Sequence, residues 1–152
     1  MATRSSHPAL SNADSFATGS ADLLLLIGRI LLGQLFLLAG WGNLTNVAGA
    51  TAYFNSLGLP AADMMPYLVG LLEVLLGLAL VLGVATRYAA IAAFLFVLAT
   101  TVIAHRYWTY PAAQQVAQYN SFLKNLAIMG GALYVLAFGA GRFSVDASLA
   151  KK

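Results

Sequence analysis

Residues 70–83 read GLLEVLLGLALVLG, fourteen residues in which only Glu73 carries a charge or a hydrogen-bonding side chain. A run this apolar belongs either to the centre of a large soluble core or to lipid, and the rest of the chain decides between them. Of 152 residues, 61% are hydrophobic and 9% charged, with a mean hydropathy of +0.81. Soluble domains carry about a quarter charged residues. A single soluble core of this length could not hide so much apolar surface, whereas a bilayer can. The chain is therefore expected to be an integral membrane protein with one small domain.

Three more apolar segments flank this one, giving expected spans of 22–43, 64–83, 86–106 and 120–140. Each is close to the roughly 20 residues that cross a hydrocarbon core. Backbone polar groups in lipid must be satisfied within their own segment, so the expected fold is all-α, an antiparallel four-helix bundle. Asp63 is placed to cap the second span, with Pro66 in its first turn, and Thr86 to cap the third. The very short turn at 83–85 makes the second and third spans antiparallel neighbours. Between the first two spans, Val47, Ala50, Phe54 and Leu57 recur at helical spacing until Gly58 and Pro60 stop the pattern. This predicts a short amphipathic helix at the membrane surface.

Residues 107–119, YWTYPAAQQVAQY, form the other long connection, with Tyr107, Trp108 and Tyr110 suited to an interfacial aromatic belt. Residues 1–21 lack apolar periodicity and are expected to be a disordered tail. They do not read as a signal peptide, because the apolar run starts only at Leu23 and three more follow. The domain then covers 22–147, and 148–152 is a short basic tail. Arg4, Arg87, Arg142, Lys151 and Lys152 flank one side of the expected topology and only Arg106 the other. The excess of positive charge on cytoplasmic loops puts both termini in the cytoplasm.

The net charge of +3 does not point to nucleic acid, since the basic residues flank spans rather than forming a stripe. Without cysteine there is no disulfide, thiolate ligand or thiol redox chemistry. Two histidines, one of them His7 in the tail, support no metal site by spacing.

Five polar residues within the spans carry the functional signal. At about 1.5 Å per residue, Arg29 and Glu73 both fall near the middle of the bilayer. Each is followed four residues later by glycine, in RILLG and EVLLG. Helical arithmetic sets Gly77 level with Arg29 and Gly33 level with Glu73, which predicts an Arg29–Glu73 ion pair across closely packed backbones. Side chains lean toward their own helix N-terminus, so the pair depends on the length of arginine. Lys124 is the alternative partner for Glu73. A buried ion pair is either a structural clasp or the mark of a ligand or proton path. His105, on the last turn of the third span, is either a belt residue or a candidate proton acceptor. Lys124 either snorkels or binds, together with Asn125. With His105 neutral, Arg29, Glu73 and Lys124 sum to +1, which suits an anionic or readily deprotonated ligand: a quinol, a sulfur oxyanion or a lipid head group.

The segments GRILLGQLFLLAGWGNL at 28–44, YFNSLGLP at 53–60, LLEVLLGLALVLGVATRYAA at 71–90, His105, FLKNLAIMGGAL at 122–133 and the GxGRFSVD pattern at 139–146 together resemble the DoxX family. The resemblance implies a four-helix, multi-pass protein of the bacterial inner membrane, treated in this family as an oxidoreductase or a subunit of one. The family is named for a subunit of a thiosulfate:quinone oxidoreductase, and its members are associated with quinones, catechols and oxidative stress. The residues carried over are Arg29, Trp41, Gly42, Glu73, Arg87, His105, Lys124 and Asn125. Asn43 stands where the family pattern leads one to expect a lysine.

Two functions from different classes follow. One is a membrane subunit that binds a quinone or a similar small anionic or aromatic ligand through Arg29, Glu73, His105, Lys124 and Asn125, and works with a soluble redox partner or a second copy. No cofactor is encoded by a motif: the glycines lie in membrane helices rather than after a strand, so no dinucleotide fingerprint exists. The other is a non-catalytic membrane anchor for soluble redox or stress-response enzymes. A small transporter or lipid-handling protein is a third reading. Membrane lipid is a partner under all three.

Overall fold

The chain is described over residues 8–151 in a computed structural model; the first seven residues, including Arg4 and His7, and Lys152 lie outside. It is all-helical, in the order α1 Pro8–Gly19, α2 Ala21–Thr45, α3 Val47–Ser56, α4 Met65–Leu82, α5 Thr86–Ala104, a 3-10 turn Tyr107–Thr109, α6 Ala112–Phe138 and α7 Val145–Leu149. Four of these, α2, α4, α5 and α6, are long and apolar enough to cross a membrane, and they form the expected bundle. Because the number of crossings is even, one end of the bundle carries both tails and the other carries α3 and the 105–111 loop. These are the tail end and the loop end below.

The closest packing is between α2 and α4. A Cβ added to Gly40 would lie 2.6 Å from the carbonyl oxygen of Gly70, and one added to Gly33 would lie 2.8 Å from that of Gly77. The absence of side chains at these positions lets the two backbones touch. On the second pair, Ala89, Ala90, Ala93 and Val97 of α5 meet Met129, Ala132 and Val135 of α6, and the two pairs close over Leu32, Phe36, Leu76 and Leu80. Large apolar side chains such as Leu38, Leu68, Leu95 and Leu133 point outward. An inside of small residues with leucine outside is what helices packing in lipid require, because lipid tails solvate leucine as well as a core does.

Several local expectations change. Residues 8–19 form a helix where the tail was expected to be disordered: Pro8 takes the first turn, and Thr18 Oγ1 donates to the carbonyl of Asp14 at 2.7 Å. Likewise α6 starts at Ala112 rather than near 120, directly after Pro111. The AAQQVAQ stretch favours helix without being apolar, so the helix extends beyond the hydrophobic segment. Asp63 does not cap α4, whose N-cap is Met64 with no side-chain bond. Thr86 is the first residue of α5 rather than its cap. The surface helix α3 forms as expected, with Asn46 Oδ1 accepting from the N–H of Gly49 at 3.2 Å and Phe54 buried. Tyr107 meets Trp108, Tyr119 and Phe122 edge-on at 5.0 to 5.6 Å between centroids, gathering the aromatic residues at the loop end.

Candidate functional site

The expected Arg29–Glu73 ion pair is not formed. The facing glycines, Gly33 with Gly77 and Gly40 with Gly70, set Arg29 level with Val81 and Glu73 level with Leu37. The offset between the two charges is then eight residues, or about 12 Å along the axis. The observed register differs from the expected one by one helical turn. The lean of each side chain toward its own N-terminus widens the gap, since the helices run in opposite directions.

Arg29 is instead fully buried at the tail end, at 0% exposure. Its Nη1 donates to the carbonyls of Leu80 at 3.0 Å and Val81 at 3.1 Å, and its Nη2 to that of Phe143 at 2.6 Å. It thus takes up carbonyls at the C-terminus of α4, where a cation is favoured, and ties down the segment after α6. That segment closes a latch. The carboxylate of Asp146 accepts from the backbone N–H of Ala85 at 2.7 Å and of Thr86 at 2.8 Å, while its own N–H donates to Gly83 at 2.9 Å. Asp146 is therefore the cap of α5, supplied from sixty residues away.

Burial works against the Asp146 charge, but hydrogen bonds from Thr86 and Ala85, with the Arg29 charge nearby, outweigh it and hold the carboxyl below its ordinary value of 3.8. The stabilisation is present in full above that value and fades as pH falls through the lower, folded one. Asp146→Asn, which keeps one acceptor oxygen and removes the charge and the second acceptor, is accordingly expected to cost about 1 kcal/mol, as for one hydrogen bond. Measured by denaturation in detergent, the gap between variant and wild type should be constant from pH 5 to 8 and close only below about pH 4.

Glu73 belongs to the other half of the bundle. It is 8% exposed, and its Oε2 accepts from Asn43 Nδ2 at 2.8 Å. Among the described residues neither Arg29 nor Lys124 comes within ion-pair distance of it. Asn43 was expected to end the first helix; it lies instead inside the last turn of α2 and holds the Glu73 carboxyl.

Glu73 and Asn43 line a cavity of about 480 Å³ in the loop half, together with His105, Lys124 and Asn125. Its other walls are mostly apolar, including Phe36, Phe54, Phe96 and Ile128. A volume of this size, apolar with a few polar groups, is typical of a small-molecule site. Each helix contributes one half: the C-terminal halves of α2 and α5, the N-terminal half of α4, and α6 from Lys124 to Ile128, with α3 over them. Four of the five expected ligand-binding residues are therefore brought together, and Arg29 is not among them.

The polar groups are individually held. Asn125, 6% exposed, donates through Nδ2 to Thr101 Oγ1 at 2.9 Å, and Thr101 passes its own proton to the carbonyl of Val97 at 2.6 Å. His105 Nδ1 lies 2.8 Å from Gln118 Oε1. A carbonyl oxygen there can only accept, so Nδ1 carries the proton and Nε2 of the neutral ring is left as an acceptor. At the wall formed by α3, burial, with Tyr110 adding to it, raises the Tyr53 phenol above its ordinary value, so it remains a hydroxyl donor. Sequence reasoning missed Asn43, Thr101 and Gln118 as partners. Thr101 had one signal, a hydroxyl within the apolar run 91–104. Gln118 had none, being one of several glutamines in a polar stretch. Among the described residues no three of His, Cys, Asp and Glu group to hold a metal ion.

Residues 24–106, more than half of the chain and the stretch that carries Arg29, Glu73 and His105, match the DoxX family model. The chain belongs to the DoxX family. Among its relatives is the Inner membrane protein YqjF of Escherichia coli K12, 41% identical over 133 residues that cover 86% of this chain and 95% of that one. The Inner membrane protein YphA of the same organism is 32% identical over 132 residues, 86% of this chain and 94% of that one. No solved structure matches. The DoxX residues identified in the sequence divide between two places. Glu73, His105, Lys124 and Asn125 line the loop-end cavity. Arg29 and Arg87 belong to the tail end, and Trp41 is exposed on the outside of α2.

Proposed function

We propose that this DoxX chain is a multi-pass inner-membrane protein that binds a quinone-class ligand in its loop-end cavity, as the membrane subunit of an oxidoreductase. The names of its two relatives support the membrane, and the distribution of Lys and Arg supports a topology with both termini in the cytoplasm and the cavity in the outer half of the bilayer. The observation that carries the ligand reading is the cavity itself: apolar walls able to hold a ring, with hydrogen-bonding groups from four helices converging on it. Asn125, fixed by Thr101, and Lys124 offer donors to a ligand oxygen. His105, oriented by Gln118, offers Nε2 as acceptor for a quinol O–H proton, the two electrons of the oxidation passing to the soluble redox partner. Arg29, committed to three carbonyls, is no part of this set.

The test is ligand-induced stabilisation of the purified protein in detergent. Ubiquinone-1 or menadione at about a hundred times its dissociation constant should stabilise wild type by about 2.7 kcal/mol. Lys124→Met and His105→Ala, both at lightly packed positions, should keep the stability of the free protein within about 1 kcal/mol and lose that gain. If wild type gains nothing across a panel of quinones, the ligand reading falls and a membrane anchor for soluble enzymes takes its place.

A further inference from the structure

The cavity has two polar ends. Thr101, which holds Asn125, is three residues from the loop end of α5, about 5 Å deep, whereas Glu73 is eight residues into α4, about 12 Å deep. The shallow end has Lys124, Asn125 and His105. The deep end has Glu73, whose carboxyl reaches back toward the loop end to accept from Asn43 in the last turn of α2 and, among the described residues, has no cation within ion-pair distance. Glu73, His105, Lys124 and Tyr53 are the titratable groups of the wall. With His105 neutral, the formal charges are one negative and one positive, and the surplus of +1 expected from counting Arg29 disappears. The remaining cation belongs to an exposed side chain near the loop end, while the carboxyl is 8% exposed at the deep end.

Building on the quinone reading, we infer that Glu73, held by Asn43, makes the cavity selective for uncharged ligands, the quinone or quinol itself, against oxyanions of the same shape. The reason holds in either form of the carboxyl. As a carboxylate it accepts a hydrogen bond from a quinol O–H; as a carboxylic acid it donates one to a quinone carbonyl. Both members of the uncharged pair are matched. An oxyanion meets a like charge in one form, and in the other a neutral group that does not replace its lost hydration. Asn43 cannot offset this, because an amide brings no charge and one of its two N–H donors is already given to Glu73.

Hydroquinone and hydroquinone-2,5-disulfonate separate the possibilities, since the second carries an anion at each end of the same ring and cannot turn both toward Lys124. Binding of each to the full-length protein in neutral detergent is measured by calorimetry. Wild type should bind the disulfonate about tenfold or more weaker than hydroquinone. Glu73→Gln, which keeps the shape and removes the charge, should bring the disulfonate to within about threefold of hydroquinone. Asn43→Lys, which sets a cation beside Glu73, should narrow the difference in the same way, and decides the matter if Glu73→Gln does not fold. Equal binding of the two compounds by wild type, or a difference that survives in the variants, overturns the inference and leaves the quinone reading standing. Failure of wild type to bind either compound overturns both.

Discussion

Arg29→Met should lower the stability of the folded bundle by about 3–5 kcal/mol, because it removes one buried charge that serves three backbone carbonyls. Each such bond to a charged donor contributes about 1.5–3 kcal/mol, and the carbonyls of Leu80, Val81 and Phe143 would be left without this partner. Arg29→Lys should recover little, since an ammonium on a flexible stem cannot reproduce the planar fork that reaches acceptors on both α4 and the segment after α6. Denaturation in mixed micelles measures both. The double substitution Arg29→Met with Glu73→Gln should be additive within about 0.5 kcal/mol, as for sites that share no partner. Recovery of stability in the double variant would restore the ion pair that the α2–α4 register rules out.

Glycine substitutions along that register should divide sharply. At Gly40 a Cβ would lie 2.6 Å from the carbonyl oxygen of Gly70 and 2.9 Å from the backbone nitrogen of Val74, and neither atom can move without its helix. Gly40→Ala should therefore cost about 1–3 kcal/mol from overpacking, despite the better helix propensity of alanine. Gly40→Leu should force α2 from α4 and abolish the folded species in gel filtration. Gly28, on the same helix, has nothing within 4 Å of an added Cβ. Gly28→Ala should gain up to about 1 kcal/mol from helix propensity alone. If Gly40→Ala and Gly28→Ala behaved alike, close backbone contact would not be what joins the two helices.

The spans were legible because bilayer thickness converts hydropathy directly into helices, and the short turn at Gly83 followed from the lack of chain between α4 and α5. The cavity was partly legible for the same reason. Glu73, His105, Lys124 and Asn125 are polar residues at the loop-end side of apolar runs, and a bundle has only one interior in which to bring them together. Register had one signal, the equal seven-residue spacing of Gly33 with Gly40 and of Gly70 with Gly77, which only the observed antiparallel alignment pairs glycine to glycine; matching each charge to a glycine misses it by one turn. Asp146 could not have been recognised as the cap of α5, since capping signals are read from neighbouring residues and this one is sixty residues distant. The helices at Pro8–Gly19 and at the start of α6 escaped because neither is apolar enough to register in a search for spans.

The proposed function depends on the loop-end cavity, and photolabelling addresses it directly. An azido-substituted ubiquinone analogue, irradiated with the protein in native membranes and mapped by peptide mass spectrometry, should label α3 around Tyr53 and Phe54, the end of α5 near Thr100 to His105, and α6 near Lys124 to Ile128. Excess unlabelled ubiquinone should suppress the labelling, and Lys124→Met should reduce it. Labelling confined to the lipid-facing leucines or to the tail end around Arg87 and Phe138, or unaffected by competitor, would contradict a quinone site in this cavity.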